Sequence, residues 1–327
     1  MRNRLFKLLL AVFAGMAVYY QARAADKDPA EIKWGYVTST AYYWDVFAAM
    51  DKGFMRRQGL TVSPTKIDAA SQSIQFVLTG AVDIVSTIPD LVINAIDKGG
   101  SLVIIGNEVT KVPWALMARP EIKTFADLKG KTIGVSAIND ASTFLLRLLL
   151  QKQGLKPGDY QTIQLGGTPN RYAALHKGAV QATLLAQPAD FKAESEGMRR
   201  LGSVDQAFEG PAIVYVARKD WVKANGDKVV RFLRGAMQGA QWLYDPKNKT
   251  EAINLLVKTI KASEADSAKT YEAYIERDKV IAVDAELPLN HIENYLKVRN
   301  DPEQKNMDPN QYVDLRYQAK AKQEGIH

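Results

Sequence analysis

The chain has 327 residues, 46% hydrophobic and 24% charged, with no cysteine and a formal net charge of +7. That size and balance suit a globular protein of two domains, each with a sizeable core. The absence of cysteine excludes disulfides, thiolate metal sites, a cysteine nucleophile and a lipid on an N-terminal Cys, and the basic excess forms no aromatic-interleaved stripe that would suit nucleic acid.

In chain order, the first 24 residues are a different material from the rest. Arg2, Arg4 and Lys7 accompany the apolar run "LFKLLLAVFAGMAV", and Ala22-Arg23-Ala24 places small residues at the −3 and −1 positions of a signal peptidase site. The run is shorter than the about 20 residues that span a bilayer, so residues 1–24 read as a signal peptide cleaved after Ala24. The mature chain is then expected free of the membrane, in the periplasm of a two-membrane cell. Removing four basic residues and no acid lowers the charge from +7 to +3, which suits a small anion as partner.

Beyond the leader, strand-like and helical runs alternate: "IKWGYV", a helix to about Gly59, "LTVSPTKI", a helix to Gly80, then "VDIVST". The alternation predicts an α/β fold of βα units on mostly parallel sheets. The first half then returns. "IKWGYVTST" matches "KTIGVSAIN", "RRQGL" matches "QKQGL", and "GAVDIVSTIPD" matches "GAVQATLLAQPAD"; Gly35, Gly59 and Gly80 thereby align with Gly134, Gly154 and Gly178 at offsets of 99, 95 and 98 residues. Two similar lobes are predicted.

In such sheets ligands sit beyond the carboxyl ends of the strands, where loops pass into helices. The repeat therefore points to 38–44, 70–73 and 86–90 in one lobe and 136–143, 166–171 and 185–190 in the other. The candidate ligand contacts are Thr38, Ser39, Tyr42, Tyr43, Trp44, Ser71, Gln72 and Pro89, then Asn139, Ser142, Thr143, Thr168, Asn170, Arg171 and Gln187, with Trp114 as a further ring. Helix capping accounts for any single Ser or Thr among them. Several helix starts on one cleft would still gather N–H donors and positive dipole ends for an anion.

Tyr42, Tyr43 and Trp44 are consecutive, each about 100° further round a helix, so they cannot all face one core. Tyr42, beside Thr38 and Ser39, is the ring expected in the cleft, with Tyr43 or Trp44 helping. Arg171 suits a clamp on a carboxylate or sulfonate and equally suits an ion pair within its own lobe. Asp90 and Asp190 follow Pro89 and Pro188 in the repeat and are read as structural. His176, His291 and His327 are scattered and read as surface residues; with no HExxH and no phosphate loop, neither metal nor cofactor is expected.

The stretches "MDKGFMRRQGLTV", "LTGAVDIVST", "FADLKGKTIGVS", "GGTPNRYAALHKGAVQATLLAQP" and "YVDLRYQAKAKQEGI" resemble periplasmic solute-binding proteins of ABC importers, in the branch that takes sulfonates, nitrate and related small organic molecules. The similarity runs from about Glu31 onwards. It implies a two-lobe, type II-like binding protein, monomeric, without catalysis, that closes on a small organic anion and delivers it to an ABC permease of the inner membrane. It also implies two crossings between lobes, near 112–120 and 210–218. The domains are then 25–118 for the first part of lobe 1, 119–211 for lobe 2, and 212–327 for the helical return to lobe 1. An aromatic carboxylate or sulfonate is the favoured ligand, with taurine, alkanesulfonates or nitrate next and neutral pyrimidine-like rings behind. The related thiamine-pyrimidine synthase-like enzymes, which use a cysteine-rich motif, a histidine and a lysine-bound cofactor, are the alternative of another class.

Overall fold

The computed structural model describes residues 29–37, 39–138, 141–299 and 308–325. The expected signal peptide, the candidates Thr38 and Asn139, and His327 lie outside the described residues. The chain divides into units Met1–Ala30 and Glu31–His327, and the fold below is that of the second, with Ala30 opening its first strand.

Ten strands form two five-stranded sheets among the described residues. The first holds β1 (Ala30–Val37), β2 (Leu60–Ile67), β3 (Ile84–Thr87), β4 (Leu102–Val109) and β10 (Ile213–Arg218) in the order β2-β1-β3-β10-β4. The second holds β5 (Ala115–Ala118), β6 (Thr132–Val135), β7 (Gln161–Gln164), β8 (Ala182–Leu185) and β9 (Arg199–Ser203) in the order β7-β6-β8-β5-β9. Position for position the two orders are the same, except that the fourth place in each sheet goes to a strand that has just crossed over.

The sheets are mostly parallel, as expected, and the exchange sets one reversed strand in each. β1 runs parallel to β3, and β6 runs parallel to β7 and β8, but β10 is antiparallel to β3 and β4, and β5 is antiparallel to β8 and β9. A strand delivered from the other sheet has no helical crossover over its own sheet, which is what obliges sequential strands to run parallel. The crossing segments are therefore short: β4 ends at Val109 and β5 is already paired in the second sheet at Ala115, while β9 ends at Ser203 and β10 begins in the first sheet at Ile213.

The repeat extends to register. Trp34 and Gly35 pair with Ile84 and Val85, and their counterparts Ile133 and Gly134 pair with Ala182 and Thr183. Gly80 and Gly178 end equivalent helices at φ +76° and +75°, a left-handed backbone that favours glycine. Over each lies an arginine, the last residue of β10 or the first after β5: Arg218 Nη1 donates to Val77 O at 2.8 Å and Arg119 Nη1 to Leu175 O at 3.5 Å. A cation at these carbonyl-rich helix ends is favourable, so one device is used twice.

Helices flank both sheets: α1 (Trp44–Asp51), α2 (Phe54–Arg57), α3 (Ala70–Leu78) and α4 (Pro89–Asp97) in the first lobe, α5 (Ala141–Lys152), α6 (Thr168–His176) and α7 (Ala189–Ser195) in the second. The return segment adds α8 (Lys219–Ala224), α9 (Gly226–Tyr244), α10 (Lys249–Ile260), α11 (Glu264–Tyr271), a π-helical stretch Glu272–Arg277, α12 (Leu289–Arg299) and α13 (Arg316–Gln323). α9 is amphipathic, buries Phe232, Leu233, Met237 and Leu243, and lies so close to α1 that a Cβ on Gly239 would overlap Asp45 O and stand 2.9 Å from Ala49 N. No described helix is long and apolar enough to cross a membrane.

Candidate functional site

Between the two sheets, where strands hand over to helices, lies a cleft with about 620 Å³ of space, open solvent included. The first lobe lines it with Val37, Thr40, Tyr42 and Tyr43 after β1, Ala69, Ala70 and Ser71 at the start of α3, and Thr87 and Ile88 before α4. The second contributes Ser136, Ala137 and Ser142 around the start of α5, Gly166, Gly167, Thr168 and Arg171 at α6, and Ala186 after β8. Trp114 and Ile213, from the two crossings, complete the lining.

The helix starts differ from the sequence expectation. The residues at the N-caps of α3, α4 and α6 are Ala69, Ile88 and Gly167, and no side chain caps these helices. Ser, Thr and Asn there would have consumed the first-turn N–H groups; Ala, Ile and Gly leave the helix ends, with their partial positive charge, facing the cleft. Arg171 is buried and donates from Nη2 to Thr168 Oγ1 at 3.2 Å. No Asp or Glu is found among the described lining residues. The cleft therefore combines open helix starts and a buried arginine with an apolar lining from Tyr42, Tyr43, Trp114, Val37, Ile88 and Ile213.

The three consecutive rings are all buried, at 3%, 1% and 1% exposure for Tyr42, Tyr43 and Trp44, so the expectation that one is left out of a core needs correcting. They point into three different environments. Ala41–Tyr43 is a 3-10 turn and only Trp44 opens the α-helix, which breaks the even 100° progression. Tyr43 turns under β1, donating to Val37 O at 2.8 Å and packing on Trp34 and Tyr36. Trp44 faces the return segment, with its Nε1 donating to Ala252 O at 3.2 Å and its ring edge-on to Tyr271. Tyr42 borders the cleft and stacks on Tyr274, with centroids 6.1 Å apart and planes 14° from parallel.

Two buried oxygens on this wall, Thr40 Oγ1 and Tyr42 OH, make no hydrogen bond of good geometry within the protein. Tyr42 OH does lie near Tyr274 and Trp114, and burial holds its phenol far above the usual range, so it is a neutral donor. Other cleft hydroxyls are paired: Ser73 Oγ with Thr87 Oγ1 at 2.6 Å, and Ser136 Oγ with Ser142 Oγ at 2.8 Å.

Residues 40–249 match the family model described as NMT1/THI5 like, which is well over half the chain. The chain belongs to the NMT1/THI5-like family. Among relatives of this family member, the formylaminopyrimidine-binding protein of Halalkalibacterium halodurans is 24% identical over 221 residues, covering 65% of each chain. The periplasmic nitrate-binding protein NrtA of Synechocystis superposes with a TM-score of 0.78 at 15% identity, covering 90% of this chain and 88% of that one. The alkanesulfonate-binding protein SsuA of Xanthomonas axonopodis, bound to MOPS, gives 0.71 at 19% identity, covering 83% and 91%. The NMT1/THI5-like chain thus has the periplasmic binding protein fold.

Of the residues singled out from the sequence, the fold brings Tyr42, Tyr43, Ser71, Trp114, Ser142, Thr168 and Arg171 to the cleft lining. It does not bring Trp44, Pro89, Thr143 or Gln187, which are buried elsewhere, nor Ser39, Gln72 and Asn170. Thr143 Oγ1, in the first turn of α5, donates to Ala137 O at 2.5 Å in the loop before it. Asp190 is fully buried, accepting from Arg200 Nη2 and Gln187 Nε2, each at 2.7 Å; burial pushes its carboxyl up to about 6 against the pull of Arg200. His176 is on the surface beside Glu196, whereas His291, read as a surface residue, is mostly enclosed near Glu209. Thr40, Ile88, Gly166 and Gly167 also line the cleft and fall inside the predicted windows; small and apolar residues such as Ile88, Gly166 and Gly167 carry no binding signal in a sequence, and Thr40 is indistinguishable there from its neighbours Thr38 and Ser39.

Proposed function

We propose that this NMT1/THI5-like protein is a periplasmic solute-binding protein that captures a small organic anion and passes it to an ABC permease, with residues 1–24 serving for export. The observation that carries the reading is the cleft itself: open helix starts at α3 and α6, buried Arg171, the Thr40 and Tyr42 hydroxyls and three aromatic rings line it together, with no carboxylate among the described lining residues. The periplasmic fold and the sulfonate- and nitrate-binding neighbours support an anion. The lining rings support a flat apolar body on that anion, so aromatic carboxylates and sulfonates are the favoured class.

The cysteine that the enzyme branch employs is absent from the sequence, which supports binding over turnover. The formylaminopyrimidine-binding relative favours one competing ligand, a neutral heteroaromatic ring. Thermal shift against benzoate, benzenesulfonate, taurine, methanesulfonate, nitrate and an aminopyrimidine separates these readings. A ligand at 100 times its Kd should add about 2.7 kcal/mol of stability. Stabilisation by aromatic anions that disappears in Arg171→Gln is the expected result; stabilisation by the aminopyrimidine alone would overturn the anion assignment.

A further inference from the structure

We propose that Gln187 and Tyr274 form a latch that holds the two lobes together behind the ligand. Gln187 follows β8 in the second lobe and is 4% exposed; Tyr274 lies in the π-helical stretch of the return segment, packed with the first lobe, and is fully buried. Tyr274 OH donates to Gln187 Oε1 at 2.9 Å. From the same first lobe, Ala41 N donates to Gln187 O at 3.3 Å. Both bonds join one lobe to the other.

The remaining bonds of Gln187 fix the direction of its amide. Nε2 donates to Pro113 O at 3.0 Å, in the first crossing, and to Asp190 Oδ2 at 2.7 Å. A carbonyl and a carboxylate can only accept, so the NH2 end must face them and Oε1 must face Tyr274. Asp190 is itself held by Arg200 and by Phe191 N at 2.8 Å. Gln187 therefore has its amide fully engaged, which explains why it is not a cleft contact. Its acceptor is pre-set for one partner in the opposing lobe.

The latch also touches the site. Tyr274 stacks on Tyr42, and Ala41 is the neighbour of both Thr40 and Tyr42, so the two interlobe bonds flank the ring and hydroxyls that line the cleft. A ligand pressed on Tyr42 packs against the same ring that carries the latch hydroxyl, and closure and binding favour one another. This inference rests on the reading of the cleft as one that opens and closes.

The absence of native cysteine lets two labels be placed uniquely, at the exposed residues Asp68 and Asn170 on opposite sides of the cleft. Spin-label distances in Asp68→Cys/Asn170→Cys, measured without ligand, report the open fraction directly. Tyr274→Phe removes only the latch hydroxyl and should raise the open-to-closed ratio roughly 2- to 12-fold, the weight of one hydrogen bond. Tyr271→Phe, whose hydroxyl donates to Leu243 O at 3.0 Å within the return segment, should leave the distances unchanged. Should Tyr274→Phe not fold, Gln187→Met carries the same expectation. Parental distances in the latch variant, or an equal shift in Tyr271→Phe, would overturn the proposal. Since no ligand is added, a shift in Tyr274→Phe stands even if the ligand panel binds nothing, and the converse failure leaves the cleft assignment untouched.

Discussion

Replacing Tyr42 by Phe should move stability and affinity in opposite directions. The Tyr42 hydroxyl is buried on the cleft wall without a hydrogen bond of good geometry, so the empty protein bears its desolvation with little return. Deleting such a hydroxyl while keeping the ring removes a penalty of about 1 kcal/mol, and for a chain of this size that raises Tm by roughly 1–2 °C. The stacking on Tyr274 is retained, because it depends on the ring. A ligand that uses the hydroxyl loses a hydrogen bond worth about 0.5–1.5 kcal/mol, so its Kd should rise roughly 2- to 12-fold. Tyr43→Phe is the contrasting variant: its hydroxyl donates to Val37 O at 2.8 Å, so stability should fall. Differential scanning fluorimetry without ligand, and calorimetry with the best aromatic anion, read the two quantities separately. A Tyr42→Phe protein that melts earlier than the parent and binds as well would refute the reasoning, since the hydroxyl would then be structural.

Two further variants test the frame that carries this wall. Asp45, buried on α1, accepts from Tyr215 OH and lies near buried Glu108; burial pushes Asp45 up to about 7 and Glu108 well above the usual carboxylate range. A raised folded-state pKa means that the folded form holds a proton which the unfolded form releases, so stability falls as pH rises between 3.8 and about 7. Asp45→Asn keeps an acceptor for Tyr215 and cannot ionise, and should stabilise by on the order of 2–4 kcal/mol at pH 8 but far less at pH 4.5; an equal gain in thermal melts at both values would refute the assignment. Gly239→Ala places a methyl against the backbone of α1 and should cost about 1–3 kcal/mol or more in urea titrations, whereas Gly235→Ala meets the flexible Met55 side chain, Sδ at 2.6 Å, and should cost less.

The two-lobe design was readable because a repeat is a long-range signal carried by local punctuation. Gly80 and Gly178 mark the same helix end in each lobe, and the spacing between such marks survives whatever the side chains around them do. The cleft windows followed from the same marks, since every strand's carboxyl end is fixed once the strands are placed. Strand direction was less accessible: β5 and β10 look like any other buried strand, and only the exchange between sheets makes them antiparallel. The site residues were the least accessible. Ser, Thr and Asn signal helix starts in a sequence, yet an anion site is better served by a start that has no such side chain, and Ala69, Ile88 and Gly167 are silent for that reason.

The three rings make the same point from burial. Periodicity counts one helix face against one core, but α1 is covered from two sides by segments far apart in sequence. Trp44 meets Ala252 and Tyr271, more than 200 residues onward, while Tyr43 meets β1 only a few residues back. Tyr42 falls between these two coverings, where the return segment brings Tyr274 to the edge of the cleft. The ring nearest the site is thus held in place by the segment that also carries the interlobe bond. A cleft wall supported in this way responds to the position of both lobes, which a wall made from one lobe alone would not.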